Sequence, residues 1–292
     1  MSDERTWKLL ELLREATQFL SSKGLESSRL EAEWMLSSAL DIRRIDLYLQ
    51  FEKVLTGTEV ESFRSLVRQR LAGRPLQYIT GDAGFRLLDL TVDERVLVPR
   101  PETEILVEEA LTHLGEQPAG QILDVGCGSG AIAVSVAREC EAARLVATDL
   151  SRAAIAVARV NAERHSVAER IRFFCGDLLA PLATDARFAV ILSNPPYIAS
   201  TDIPTLQPEI RDHEPHLALD GGADGLDVVR RLVPLAARHL LPAGRLLIEV
   251  GAGQSDVVES LLEDSGFDAS TIYTRADLTG IPRVVTGATP GR

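Results

Sequence analysis

The stretch Ile122-Leu123-Asp124-Val125-Gly126-Cys127-Gly128-Ser129-Gly130 decides the fold. Gln121–Val125 reads as a short buried strand, the glycines as a turn, and Ala131–Glu139 beyond them as a helix. Glycine takes positive φ at little cost and lets a ligand approach the backbone, so a strand, glycine turn and helix in succession can cradle a nucleotide. The loop alone leaves the ligand open. Gly126, Gly128 and Ala131 also satisfy the G-x-G-x-x-G/A pattern of nicotinamide enzymes, and a tight turn with no ligand is a third reading.

Strands and helices alternate from this loop toward the C-terminus. Arg144–Asp149, Ile171–Cys175, Phe188–Ser193 and Arg245–Val250 read as strands, with further strands near Phe267–Tyr273 and Pro282–Thr286. Ala153–Arg164, Asp227–His239 and Asp256–Asp264 read as helices. Such alternation predicts an α/β doubly wound sheet with its ligand at the carboxyl ends of the strands. Toward the N-terminus the pattern changes. Residues 1–75 carry helical periodicity: Trp7, Leu10, Leu13 and Leu20 with Phe19, then Leu30–Leu40 around Trp34, Met35 and Leu36. A third helix opens on Thr58 and Glu61 at capping-box spacing, runs through Phe63, Leu66, Val67 and Leu71, and stops at Gly73 and Pro75. Residues 76–98 read as a β-hairpin connector, and Pro101 suits the first turn of the next helix. The expected division is a helical domain 1–75, a connector 76–98 and an α/β domain 99–292.

Composition bounds the function. The 292 residues are 45% hydrophobic and 25% charged, enough for buried cores, and the net charge is -12. Nucleic-acid affinity depends on Lys and Arg displacing counterions, so direct nucleic-acid binding is not expected. Three cysteines at irregular spacing suggest small buried residues in a reducing compartment, not a disulfide framework or a zinc site. The acidic N-terminus lacks signal-peptide character and no apolar run approaches membrane-spanning length, which predicts a cytoplasmic protein, taken as a monomer.

Polar residues recur where a doubly wound sheet binds ligands. Asp149 ends a strand, where its carboxylate can accept ribose hydroxyls. Asp124 before the glycines suits the ammonium of a methionine moiety better than a pyrophosphate, and Asp177-Leu178 follow the third strand. Together these favour S-adenosyl-L-methionine over NAD. Ser193-Asn194-Pro195-Pro196-Tyr197 carries the chemistry. Two prolines stiffen the backbone, so the Asn194 side-chain oxygen and the Pro195 carbonyl can each accept one N–H of an amide or amino NH2. That grip turns the nitrogen lone pair toward the donor methyl, with Tyr197 packed on the planar group and no strong base required. A proline turn with packing roles only is the plain alternative.

At these residues the chain resembles the protein-(glutamine-N5) methyltransferases that modify peptide-chain release factors. The likeness covers nearly all of it: Arg74-Pro75-Leu76-Gln77-Tyr78-Ile79-Thr80-Gly81, Val98-Pro99-Arg100-Pro101-Glu102-Thr103-Glu104, and Glu214-Pro215 through Asp224-Gly225-Leu226. The resemblance implies a class I, Rossmann-like methyltransferase with a seven-stranded, mostly parallel sheet whose last strand is antiparallel. It also implies a five-helix N-terminal domain that docks the protein substrate. It carries donor-binding roles to Asp124, Gly126, Cys127, Gly128, Ser129, Gly130, Asp149, Asp177, Leu178 and Asn194. Substrate-binding and catalytic roles fall to Asn194, Pro195, Pro196 and Tyr197, with Arg100 and Glu102 as further substrate positions. The target would be the glutamine of a Gly-Gly-Gln loop. Where relatives carry Trp after the acidic residue of the third strand, this chain has Leu178, so ring stacking on adenine is not implied.

Other features suggest no metal or nucleophile. His213 and His216 bracket Pro215 without further ligands, Ser129 and Ser193 have no histidine partner, and Arg68, Arg70 and Arg74 read as a solvated helix face. Adenine amino methylation on DNA or RNA, a nicotinamide oxidoreductase and a noncatalytic binding module are the competing functions.

Overall fold

Strand β1 (Gln121–Val125) lies inside a seven-stranded sheet. The computed structural model describes residues 6–116 and 120–291. The other strands are β2 (Arg144–Asp149), β3 (Ile171–Cys175), β4 (Phe188–Ser193), β5 (Leu240–Glu249), β6 (Tyr273–Ala276) and β7 (Pro282–Ala288). Their order across the sheet is β6-β7-β5-β4-β1-β2-β3. Neighbours from β5 to β3 pair in parallel, and β7 pairs antiparallel with both β5 and β6. The antiparallel last strand and the seven-stranded sheet are as expected.

Strand period explains the two cores. Ile122 joins one apolar cluster with Val134, Ala158 and Leu192, while Leu123 and Val125 join another with Ile191, Leu232 and Val258. Alternate side chains point to opposite faces, so each face needs its own helices. Helices Thr103–Glu116, Ala131–Glu139 and Arg152–Arg164 serve the first, and Asp227–His239 and Ser255–Asp264 the second.

Among the described residues, 6–81 with Pro208–His213 form a separate compact unit. Its first five helices are Leu9–Ser22, Ser28–Leu40, Arg44–Leu49, Gly57–Leu71 and Leu76–Thr80. Leu9, Leu20, Met35, Leu36 and Phe63 fill its core. Phe19, expected on the apolar face of the first helix, is 47% exposed, and Trp34 in the second is 43% exposed. Among the described residues no helix is long and apolar enough to cross a membrane.

Several local expectations are corrected. The capping box is Thr56 with Glu59, not Thr58 with Glu61: the Glu59 N–H donates to Thr56 Oγ1 at 3.2 Å and the Thr56 N–H to Glu59 Oε2 at 2.7 Å. Both pairs have the same spacing, and only the backbone trajectory chooses between them. Leu76–Thr80 is a short helix ended by Gly81 at φ 82°, and the hairpin proper is Asp82–Phe85 with Leu88–Thr91. Helix Thr103–Glu116 starts beyond Pro101, which sits in a preceding turn. Phe267–Tyr273 is not a strand. Asp268 accepts the Ser270 N–H and folds Ala269–Thr271 into a 3-10 turn, so β6 begins at Tyr273. β5 begins at Leu240, ahead of the expected start, with a register shift where it passes Phe188. Arg70 is not solvated: its side chain is 15% exposed between Glu31 and Glu209. Cys175 is exposed, because β3 is an edge strand.

Candidate active site

The glycine loop leaves β1 and turns with φ of 76° at Gly126, 53° at Gly128 and 82° at Gly130. A Cβ at Gly130 would stand 3.1 Å from the Ala158 Cβ, so this glycine permits close helix packing. A Cβ at Gly128 would meet nothing within 4 Å, and this residue instead lines a cavity of about 540 Å³ over the carboxyl ends of the parallel strands. That volume suits a small-molecule ligand. The loop is tied down from behind. Buried Asn161 donates to the Ser129 and Thr91 carbonyls, each at 2.9 Å, and accepts the Thr91 N–H at 2.7 Å. Nothing in the local sequence marks Asn161 for this task.

Asp149 stands beside the loop. Its Oδ2 accepts the Gly128 N–H and its Oδ1 the Ser151 N–H, both at 2.8 Å. Burial raises its pKa despite those two bonds. Each carboxylate oxygen retains a lone pair for a ribose hydroxyl. Asp177 and Leu178 also line the cavity; Asp177 pairs with Arg231, which reaches the same rim from helix Asp227–His239. Leu178 has φ 50°, an unusual conformation for a branched apolar residue.

Asp124 is placed differently from the expectation that it meets a methionine ammonium. It is fully buried, its Oδ2 accepts the Ala133 N–H at 3.1 Å, and it is not among the cavity-lining residues. Strand alternation sends its side chain to the face of helix Ala131–Glu139. Burial pushes its carboxyl up to about 7.

The segment after β4 meets the cavity through Asn194 and Pro196. Asn194 Nδ2 donates to Thr103 Oγ1 at 3.0 Å, which leaves its side-chain oxygen as the uncommitted acceptor. The absent Cβ of Gly126 would lie 4.0 Å from the Asn194 carbonyl oxygen, so glycine loop and Asn-Pro-Pro-Tyr segment adjoin. Pro195 and Tyr197 are outside the cavity wall. The Tyr197 carbonyl accepts Gln254 Nε2 at 2.9 Å, and burial with the nearby Glu249 charge pushes the phenol up to about 12. A Cβ at Gly225 would come within 2.2 Å of the Tyr197 carbonyl, so the Gly221–Gly225 loop clamps this backbone as the prolines do. Arg100 lines the cavity and pairs with buried Glu214, whereas Glu102 is outside the wall, 3.9 Å from Arg283. Among the described residues no group of His, Cys, Asp and Glu could hold a metal.

A glycine cradle, a ribose-competent carboxylate and a polar pair at the reacting end fit S-adenosyl-L-methionine. The fold and cavity define the class: a doubly wound α/β methyltransferase. Residues 102–223 match the methyltransferase small domain and residues 11–81 the PrmC N-terminal domain. Release factor glutamine methyltransferase of Geobacter sulfurreducens is 45% identical over 281 residues, covering 96% of each chain. That of Chlorobaculum tepidum is 40% identical over 95% of this chain and 97% of its own. A methyltransferase from Pyrococcus furiosus shares the fold at TM-score 0.53 and 17% identity, covering 79% of this chain and 98% of its own. The chain belongs to the release factor glutamine methyltransferase family, as residues 98–104 and 194–197 suggest by resemblance, and its methyl donor is S-adenosyl-L-methionine.

Proposed function

We infer that this enzyme methylates the side-chain amide nitrogen of the glutamine in the Gly-Gly-Gln loop of peptide-chain release factors, in the cytoplasm. The observation that carries the reading is the commitment of Asn194 Nδ2 to Thr103, which reserves the carboxamide oxygen for an N–H donor at the cavity.

An amide nitrogen is a poor nucleophile because its lone pair is delocalised into the carbonyl. When bound, the cofactor supplies an electrophilic sulfonium methyl group. Asn194 Oδ1 accepts one hydrogen of the target NH2 and the Pro195 carbonyl the other, so the nitrogen presents its lone pair instead of its hydrogens. Thr103 holds the Asn194 carboxamide, and the prolines with the Gly221–Gly225 loop packed on the Pro196 and Tyr197 carbonyls stiffen the backbone before substrate arrives, so little reorganisation remains for the transition state. With the donor bound, the nitrogen would gain the methyl carbon as the bond from that carbon to sulfur breaks and leaves a neutral thioether, and would then lose one hydrogen as a proton to solvent; the positive charge developing on nitrogen would meet two oxygen acceptors. Asp149 with the glycine loop would hold the adenosine end, with Asp177 and Leu178 available to the adenine, and Arg100, on the cavity wall, would meet the peptide, with Glu102 a further peptide position outside that wall.

The test is incubation of the enzyme with labelled methyl donor, a release factor and total RNA and DNA. Label should enter the protein at the Gly-Gly-Gln glutamine and be absent when that residue is Ala. Label in nucleic acid with unlabelled release factor would transfer the same grip to an adenine amino group and overturn the reading.

A further inference from the structure

The turn from β6 to β7 lies at the carboxyl end of the sheet. β7 runs antiparallel to β5 with Val284 opposite Glu249, and Ala276 at the end of β6 faces Pro282 at the start of β7. Residues 277–281 therefore project from the same end as the Asn194 segment. Neighbouring strands are about 4.8 Å apart, so a turn two to three strands from β4 stands roughly 10 to 15 Å from it. One carboxylate shapes this turn. Asp277 Oδ1 accepts the Thr279 N–H at 2.9 Å, the Thr279 hydroxyl at 2.6 Å and the Ile281 N–H at 3.0 Å. Its Oδ2 accepts the Arg283 Nε–H at 2.8 Å, and its own N–H donates to the Ile281 carbonyl at 2.8 Å. The loop so fixed holds out Leu278, which at 107% is the most exposed large apolar side chain among the described residues. A lone surface leucine is ordinary. Here, though, a network of hydrogen bonds orders the backbone around a leucine that enters no core.

We propose that Leu278, on its Asp277-braced turn, is a docking contact for the body of the release factor, outside the Gly-Gly-Gln loop. The inference rests on the release-factor reading. The cavity opens over the carboxyl ends of the parallel strands, so only a loop of a folded protein substrate can enter it. The rest of that protein must lie over this end of the sheet. Strand order places the turn on the substrate side. Gly126–Gly130, Asp149 and Asp177 follow β1, β2 and β3, Asn194 follows β4, and β7 and β6 lie beyond β5, away from the cofactor residues. Arg283, which braces Asp277, also stands 3.9 Å from Glu102, so the turn is joined to the segment expected to meet the peptide. An apolar side chain on a turn already ordered gains from burial against an apolar surface of the factor without the cost of ordering its own backbone.

The test compares Leu278→Ser, Leu278→Met and Asp277→Ala with the parent. The measurements are release factor Kd for the enzyme loaded with S-adenosylhomocysteine, kcat and KM for methylation, melting temperature and sedimentation. Leu278→Ser should keep the parental melting temperature and S-adenosylhomocysteine affinity, because this side chain packs against neither core nor cavity. It should raise release factor Kd and KM roughly tenfold, the scale of one leucine side chain left in water. Its kcat should be unchanged, the mark of binding lost equally from ground and transition states. Leu278→Met should stay within about threefold of the parent. Asp277→Ala keeps the leucine but frees the turn, and should fall between the two. If it does not fold, Leu278→Ser decides alone. Parental Kd and KM in Leu278→Ser overturn the proposal and leave the function standing. So does a parent that sediments as a dimer and a Leu278→Ser variant that is monomeric with parental factor affinity, since a second copy would then cover the turn. A wild-type enzyme that never labels glutamine removes both readings.

Discussion

At the scale of single residues, buried carboxylates set the pH behaviour. Asp124 has its carboxyl pushed up to about 7 by burial, helped by the charge of Asp149 and opposed by the Ala133 N–H. From about pH 4 to 7 the folded chain keeps a proton that the unfolded chain has released, so this group makes stability fall as pH rises through that window. Asp124→Asn keeps an acceptor for Ala133 and cannot ionise. In melts without cofactor it should match the parent near pH 4 and exceed it at pH 8, by on the order of 1 to 3 kcal/mol. A variant less stable than the parent at pH 8 would show that the charge is used in the fold. Asp149 makes the opposite kind of claim. Asp149→Ala should weaken S-adenosylhomocysteine binding at least about tenfold in calorimetry, since hydrogen bonds to a charged acceptor are lost. Unchanged affinity would exclude the carboxylate from the ribose site.

At the scale of elements, two contacts test how the pieces are joined. Asn161 satisfies three backbone groups of the glycine loop and the hairpin at once. Asn161→Leu would leave them unpaired, the Ser129 carbonyl fully buried and the Thr91 groups part-buried, costing roughly 2 to 4 kcal/mol in denaturant unfolding. A loss under about 0.5 kcal/mol would mean the loop holds its shape alone. In the helical unit, Thr56→Ala should cost about 1 kcal/mol and Thr58→Ala almost nothing, because only Thr56 caps a helix. Equal effects would contradict the capping assignment. Strands β1 to β4 were legible to the residue because each is a short apolar run bounded by turn residues. The capping box was not, because Thr56-x-x-Glu59 and Thr58-x-x-Glu61 overlap, and neither was the turn at Ala269–Thr271, where one aspartate side chain outbids a strand-like pattern.

At the scale of the whole molecule, the helical unit and the α/β unit each have their own apolar core. A fault in one core should therefore remain in that unit. Phe63→Ala, at a site 1% exposed in the helical core, should destabilise that unit by roughly 3 to 5 kcal/mol and speed its amide exchange. S-adenosylhomocysteine affinity should be unchanged; a parallel loss would show that the two units fold as one.

The sequence by itself determined the alternation of strand and helix, the glycine cradle at 126–130, the stiff Asn194–Tyr197 segment and the family. Each of these is written in a few consecutive residues, where backbone sterics and strand or helix period act directly. Only the tertiary structure decided that Asp124 faces a helix and not the cavity, that Asn161 latches Ser129, and that Thr103 accepts a hydrogen bond from Asn194. Those partners lie far apart in the chain, and a polar side chain's role depends on what burial brings to it, which no local pattern encodes.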